Sequence, residues 1–155
     1  NPISNVKITI SELNTILYSD ENGSFTLIQG NRNLVLILEK ERSVFRILLK
    51  NIKNIHLDED PRVHISKAPA SNYLKANKDL TFDVIICDPP YDLAERIKKD
   101  QENELLNTLD LIASRLNKNG TLILSWPERV ELPILQNLKL TKEKTYAGAK
   151  LGWYN

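Results

Sequence analysis

Four consecutive residues hold the clearest chemical potential in the chain: Asp88, Pro89, Pro90 and Tyr91. They offer a carboxylate, two carbonyl oxygens with no N–H between them, and an aromatic ring. Proline fixes φ, lacks an N–H and pushes the residue before it out of the helical region. Asp88 must therefore leave its element in a stiff, extended turn. That element is the run before it. Phe82, then Val84, Ile85 and Ile86, closed by Cys87, is a short β-branched apolar stretch bounded by breakers. It reads as a strand buried on both faces, as in parallel sheets. The turn then sits at the strand's carboxyl end, the edge where open α/β sheets bind ligands. The plainer reading of the same residues is a rigid strand-to-loop turn with a solvated Asp.

A hydrophobic strand followed by Asp88-Pro89-Pro90-Tyr91 resembles the (D/N/S)-P-P-(Y/F/W) signature of amino-group N-methyltransferases. Those enzymes use S-adenosylmethionine to methylate adenine, guanine or glutamine nitrogens. The resemblance implies a class I methyltransferase fold: a Rossmann-like α/β domain with a mainly parallel sheet, an antiparallel C-terminal hairpin and helices on both faces. It gives Asp88, Pro89, Pro90 and Tyr91 the catalytic roles, with Asp88 also touching the cofactor.

A second apolar run, Leu34–Leu38, closes on Glu39 and Lys40. In the Rossmann-like methyltransferases a carboxylate at that place accepts from both ribose hydroxyls, because its two oxygens can take two vicinal donors. Leu38 to Arg42 resembles the V-E-K-(D/N)-R of the family, which assigns Glu39 and Lys40 to the cofactor. Glu41 is better suited than Glu39 to act only as a helix N-terminal charge. A glycine-rich loop of the form D-L-F-A-G-(S/T)-G-(S/A)-(L/F/M) should precede this run. Gly23, Ser24 and Phe25 match its end, while Glu21 stands at the first glycine and Leu17 at the leading Asp. Glycines there let backbone approach the ligand, so Glu21 is a departure. Pro69 is another, standing where the family has an acid for the adenine amine.

The rest of the chain supplies the elements that hold these groups. Arg42–Leu57 has apolar residues at helical spacing, with Arg46, Lys50 and Lys53 on a solvated face or against phosphates. Val63–Ile65 reads as a short strand, in which His64 takes no role, and Asn72–Lys78 as a short helix. Asp92–Glu102 is charged and weakly periodic. It is either a solvated helix start or a flap whose Arg96, Lys98 and Lys99 hold phosphates. Glu104–Asn117 is a strong amphipathic pattern with Gly120 as its cap. Thr121–Trp126 is a third buried strand broken by Pro127. A short turn of helix follows Leu132. Leu138–Tyr146 and Lys150–Tyr154 alternate as half-exposed antiparallel strands do.

The ending, Glu143 to Asn155, resembles that of the bacterial enzymes that methylate a guanine N2 amine in small-subunit ribosomal RNA. Asn1, Pro2, Ser4, Asn5 and Lys7 echo the segment before their cofactor domain, or form a polar arm leading into a short helix or strand. The implied partner is ribosomal RNA or the assembling small subunit. Two other functions use the same features: a non-catalytic methyltransferase-fold module that binds RNA or protein, and an N-methyltransferase acting on DNA adenine or protein glutamine.

The 155 residues suit one domain, 1–155, acting as a monomer. With 41% hydrophobic and 26% charged residues the chain is globular. A net charge of +1 confines any nucleic-acid binding to a local patch. The single Cys excludes a disulfide framework and a cysteine-rich metal site, and fits a reducing cytoplasm. No stretch is long enough to span a membrane. A chain that begins at Asn1 and lacks Met reads as part of a longer one.

Overall fold

The computed structural model describes residues 7–10, 15–18, 26–30, 34–97, 103–146 and 148–155. Strands β1 (Lys7–Ile10) and β2 (Thr15–Tyr18) form a small antiparallel pair. The main sheet is built from β3 (Thr26–Gly30), β4 (Leu34–Leu38), β5 (Val63–Ser66), β6 (Phe82–Cys87), β7 (Leu116–Pro127), β8 (Leu140–Tyr146) and β9 (Ala149–Tyr154). Its order is β5-β4-β3-β6-β7-β9-β8. The β4–β5 and β6–β7 pairs are parallel, whereas β3 runs against both neighbours and β9 against both of its own. Five of the seven strands therefore share one direction. This is a Rossmann-like α/β fold with an antiparallel C-terminal hairpin.

Burial on both sides explains the apolar runs. Leu36, Leu38, Phe82, Ile85, Leu122, Leu124 and Trp126 face one core. Val35, Ile37 and Ile86 face the other. Helix α1 (Arg42–Asn54) covers the second face with Leu48 and Ile52. Helices α2 (Ala70–Ala76), α3 (Tyr91–Ile97) and α4 (Asn103–Ala113) cover the first through Leu74, Ala94, Leu105, Leu109 and Ile112. Each such Leu or Ile contributes about 1.5–3 kcal/mol on burial.

Several expected boundaries move, each for a local reason. α1 stops at Asn54, and His56 takes φ 57°. α2 starts two residues before Asn72, because Pro69 is its N-cap with φ fixed at −59°. Of Asp92–Glu102, the part as far as Ile97 is helical, in a helix that begins at Tyr91 itself. α4 ends at Ala113 rather than Asn117, and Gly120 is not its cap. Arg115 draws the chain into the sheet instead. Its guanidinium donates to the Lys78 and Leu74 carbonyls, and its own carbonyl accepts from Phe82 N–H at 2.8 Å. Among the described residues after Leu132 there is no helix. The carbonyls of Glu131 and Pro133 accept from Trp126 Nε1 and the Tyr154 hydroxyl, both at 2.9 Å, and these tertiary bonds replace a helical ladder.

Candidate active site

The carboxyl ends of β4, β5 and β6 open into one cavity of about 520 Å³, within the range of small-molecule sites. Leu38, Glu39, Lys40 and Glu41 form one side, and Ala68, Pro69, Ala70 and Ser71 the second. Cys87, Asp88, Pro89 and Pro90 form the third. Leu105, Leu109 and Ile112 of α4 close it as an apolar wall, with Glu104 and Thr108 beside them. The structure thus brings Glu39, Lys40, Asp88, Pro89 and Pro90 to the wall of one cavity.

Glu39 is only 5% exposed, a buried carboxylate among apolar neighbours. Its Oε1 accepts the Glu41 N–H at 2.7 Å, which fixes the carboxylate at the mouth of α1. Lys40 is exposed at the rim. Asp88 is half-buried. A carboxylate at a strand end, in a cavity also lined by Pro69, Pro89, Leu105 and Leu109, has the acceptors for two ribose hydroxyls and apolar surface for a purine-sized ring. Among the described residues no group of His, Cys, Asp or Glu is placed to hold a metal ion.

Tyr91 is held differently from its neighbours. It opens α3, lies half-buried, and is not part of the cavity wall. Its hydroxyl is 2.9 Å from Ser125 Oγ on β7. Burial raises its pKa; the Ser125 bond partly opposes this, and the Asp88 charge adds to it. Ser125 was not legible as a site residue, since a small polar residue in TLILSW looks like strand alternation. Thr108 and Glu104 were hidden in the same way inside an amphipathic helix pattern. Burial pushes the Cys87 thiol up to about 12, with the Asp88 charge adding to it. Cys87 therefore packs as a neutral thiol.

Gly23, Ser24, Lys98 and Lys99 lie outside the described residues, and Arg96 is placed only as a backbone position in α3. The strand nearest the glycines departs from a parallel α/β pattern. β3 is joined to β4 by a hairpin connection, and its first residue, Thr26, pairs with Cys87. The chain so enters β3 at the ligand edge, three residues after Gly23.

The sequence family described as conserved hypothetical protein 95 matches residues 29–155. The chain belongs to that family. This member is also similar to solved structures. A conserved hypothetical protein from Streptococcus pyogenes is 26% identical, with 77% of this chain and 69% of that one covered and a TM-score of 0.56. A candidate methylase from Haemophilus influenzae is 21% identical, covering 78% and 71%, with a TM-score of 0.58. A candidate methyltransferase from Escherichia coli is 19% identical, covering 77% and 60%, with a TM-score of 0.56. At 21% and 19% identity the likeness is one of fold, and that fold is the class I methyltransferase type. No curated protein matches the chain.

Proposed function

We propose that the protein is an S-adenosylmethionine-dependent N-methyltransferase whose acceptor is the exocyclic amine of a guanine in small-subunit ribosomal RNA. The observation that carries the reading is the shared cavity: the Asp88-Pro89-Pro90 turn and the buried Glu39 both line it. Glu39 would hold the ribose hydroxyls of the cofactor, Lys40 its rim, and the apolar surface of Pro69, Leu105 and Leu109 its adenine. When bound, the cofactor supplies an electrophilic methyl group on a sulfonium.

An exocyclic amine is a poor nucleophile because its lone pair is delocalised into the ring. The Asp88 carboxylate and the Pro89 carbonyl can accept its two hydrogens and turn the lone pair toward the methyl group. Tyr91, held by Ser125, offers a ring at the edge of that arrangement for the base to rest on. Catalysis is then chiefly positioning and electrostatics. The base must leave its stack to enter, which suits single-stranded or splayed RNA. The resemblance of the closing hairpin favours RNA over DNA adenine or protein glutamine.

A non-catalytic module is the second reading. It is favoured by the antiparallel β3 and by Pro69 at the adenine side. One experiment separates the two. The full chain is incubated with small-subunit ribosomal RNA and isotopically labelled S-adenosylmethionine, and the RNA is digested to nucleosides for mass spectrometry. Labelled N2-methylguanosine is expected. Asp88→Ala should lower its formation by a hundredfold or more, roughly the loss of one preorganised polar partner, with affinity for S-adenosylhomocysteine kept. Label in DNA or protein alone would move the acceptor. No label and no S-adenosylhomocysteine binding would leave the module reading.

A further inference from the structure

The two faces of the C-terminal half of the sheet differ in charge and cover. On the face of the first core, Tyr154 and Trp126 are buried, and Glu143 pairs with Lys150 at 3.5 Å. The opposite face follows from the register. Ile123, Ser125 and Pro127 of β7 pair with Trp153, Leu151 and Ala149 of β9. These pair in turn with Lys142, Lys144 and Tyr146 of β8. Paired residues share a face, and the Lys142 Nζ lying 5.0 Å from the centroid of the Trp153 ring agrees with this. All seven residues of β8 are exposed, and Tyr146 is 49% exposed. None of these nine face residues is acidic, while the one acid of β8 turns to the other side.

We propose that the exposed edge of this face, with Lys142, Lys144 and Tyr146 on β8 and the half-buried Trp153 behind them, is a docking surface for single-stranded RNA. The inference rests on the RNA acceptor proposed above. Three observations carry it. The first is charge: Lys142 and Lys144, with Glu143 between them turned to the other face, make a short cationic track on this side of β8. At about 3.3 Å per residue their Cα atoms lie about 7 Å apart, the scale of successive phosphates along a nucleic-acid strand. The second is the aromatic component. Tyr146 presents a ring on which a base can stack, and stacking joined to phosphate contacts is how sheet surfaces hold single strands. Trp153 holds the Lys142 ammonium over its face, which limits the freedom given up when a phosphate arrives. The third is position. Leu151 pairs with Ser125 on one side and Lys144 on the other, and Ser125 holds the Tyr91 hydroxyl. The Lys144 backbone is therefore two strand spacings, about 10 Å, from Ser125. A strand of RNA lying along β8 then passes about 10 Å from Ser125, the residue that holds the Tyr91 hydroxyl.

The test is fluorescence anisotropy of a 5′-labelled, mixed-sequence 12-nucleotide RNA titrated with the full chain between 50 and 200 mM salt. S-adenosylhomocysteine affinity is measured in parallel. Lys142→Gln with Lys144→Gln should weaken RNA binding roughly tenfold or more at low salt. The same pair should flatten the salt slope by up to about 0.7 for each phosphate no longer neutralised. Lys144→Gln with Tyr146→Ala leaves the Lys142–Trp153 pair intact and should also weaken binding, so the result does not depend on that pair's part in folding. Lys50→Gln with Lys53→Gln on α1 should change nothing. Arginine at 142 and 144 should restore binding. If both site pairs bind RNA like the parent, or the parent binds none, the surface assignment is overturned while the methyltransferase reading stands. If an acidic polyglutamate peptide displaces RNA at equal concentration, the face belongs to a protein partner and the RNA assignment is overturned. RNA binding abolished in the variants, in a parent that neither binds S-adenosylhomocysteine nor methylates, supports the surface and removes the enzyme reading.

Discussion

Tyr154 and Cys87 show how burial retunes side chains without giving them catalytic work. The Cys87 thiol, pushed up to about 12 by burial and by Asp88, is protonated at neutral pH, which makes it a poor nucleophile. Tyr154 donates its hydroxyl to the Pro133 carbonyl at 2.9 Å, and burial, with the Glu143 charge adding to it, raises its pKa from 10.0 to about 12. A raised pKa on an acid means that the folded state holds the proton more tightly. Its contribution is complete below pH 10 and is lost as pH climbs toward 12. Tyr154→Phe should therefore flatten the alkaline decline in stability between those values. At pH 8 it should cost about 1 kcal/mol for the missing hydrogen bond. Urea unfolding of parent and variant at pH 8, 10 and 11.5 measures both; an alkaline limb as steep in the variant as in the parent would refute the assignment.

At the scale of the element, β7 and its hairpin contain two glycines needed for different reasons. Between the Phe82–Leu116 and Val84–Thr121 pairs the register shifts, and Asn117–Gly120 bulge out opposite Asp83. Asn117 Nδ2 fastens the bulge to Asp83 Oδ1 at 2.7 Å, and Asn119 takes φ 68°. A Cβ on Gly120 would lie 2.9 Å from the Asp83 carbonyl oxygen and 2.9 Å from the Leu116 side chain. Gly120→Ala should cost about 1–3 kcal/mol by overpacking. Gly148 has open space but φ +80°, so Gly148→Ala should cost about 1–2 kcal/mol in backbone strain. Asparagine distinguishes the two causes. It tolerates positive φ, so Gly148→Asn should recover part of the loss, whereas Gly120→Asn should be worse than Ala. Denaturant midpoints of the four variants provide the check.

For the whole molecule, a ligand that binds only the folded state must raise its stability. S-adenosylhomocysteine at a hundred times its Kd should add about 2.7 kcal/mol, or about 5–10 °C in Tm for a chain of this size. Glu39→Ala should remove most of that shift, since its carboxylate lies in the wall between β4 and α1. A thermal shift series with parent and variant tests this. An undiminished shift in Glu39→Ala would show that the ligand sits elsewhere. With a net charge of +1, long-range attraction to RNA is weak, so the RNA binding proposed above should depend on a few lysines and show a shallow salt slope, about 0.7 for each phosphate contact. Among the described residues no helix is long and apolar enough to cross a membrane.

The amino-acid sequence alone determined the buried strands, because unbroken runs such as Leu34–Leu38 and Val84–Cys87 can be satisfied only by cover on both faces. It also determined the turn at Asp88, because two prolines leave the backbone little choice. The fold class and the cofactor role expected of Glu39 came from the family resemblance of the Asp88 turn and of Leu38–Arg42, and the structure places Glu39 and Asp88 in the wall of one cavity. Only the tertiary structure decided what long-range partners impose. Arg115 ends α4 early by reaching the Lys78 and Leu74 carbonyls. Ser125 takes the Tyr91 hydroxyl across 34 residues of chain. β3 runs antiparallel between β4 and β6. Local periodicity shows which side chains must be buried, but strand direction and hydrogen-bond partners depend on residues distant in the sequence, and no local pattern encodes them.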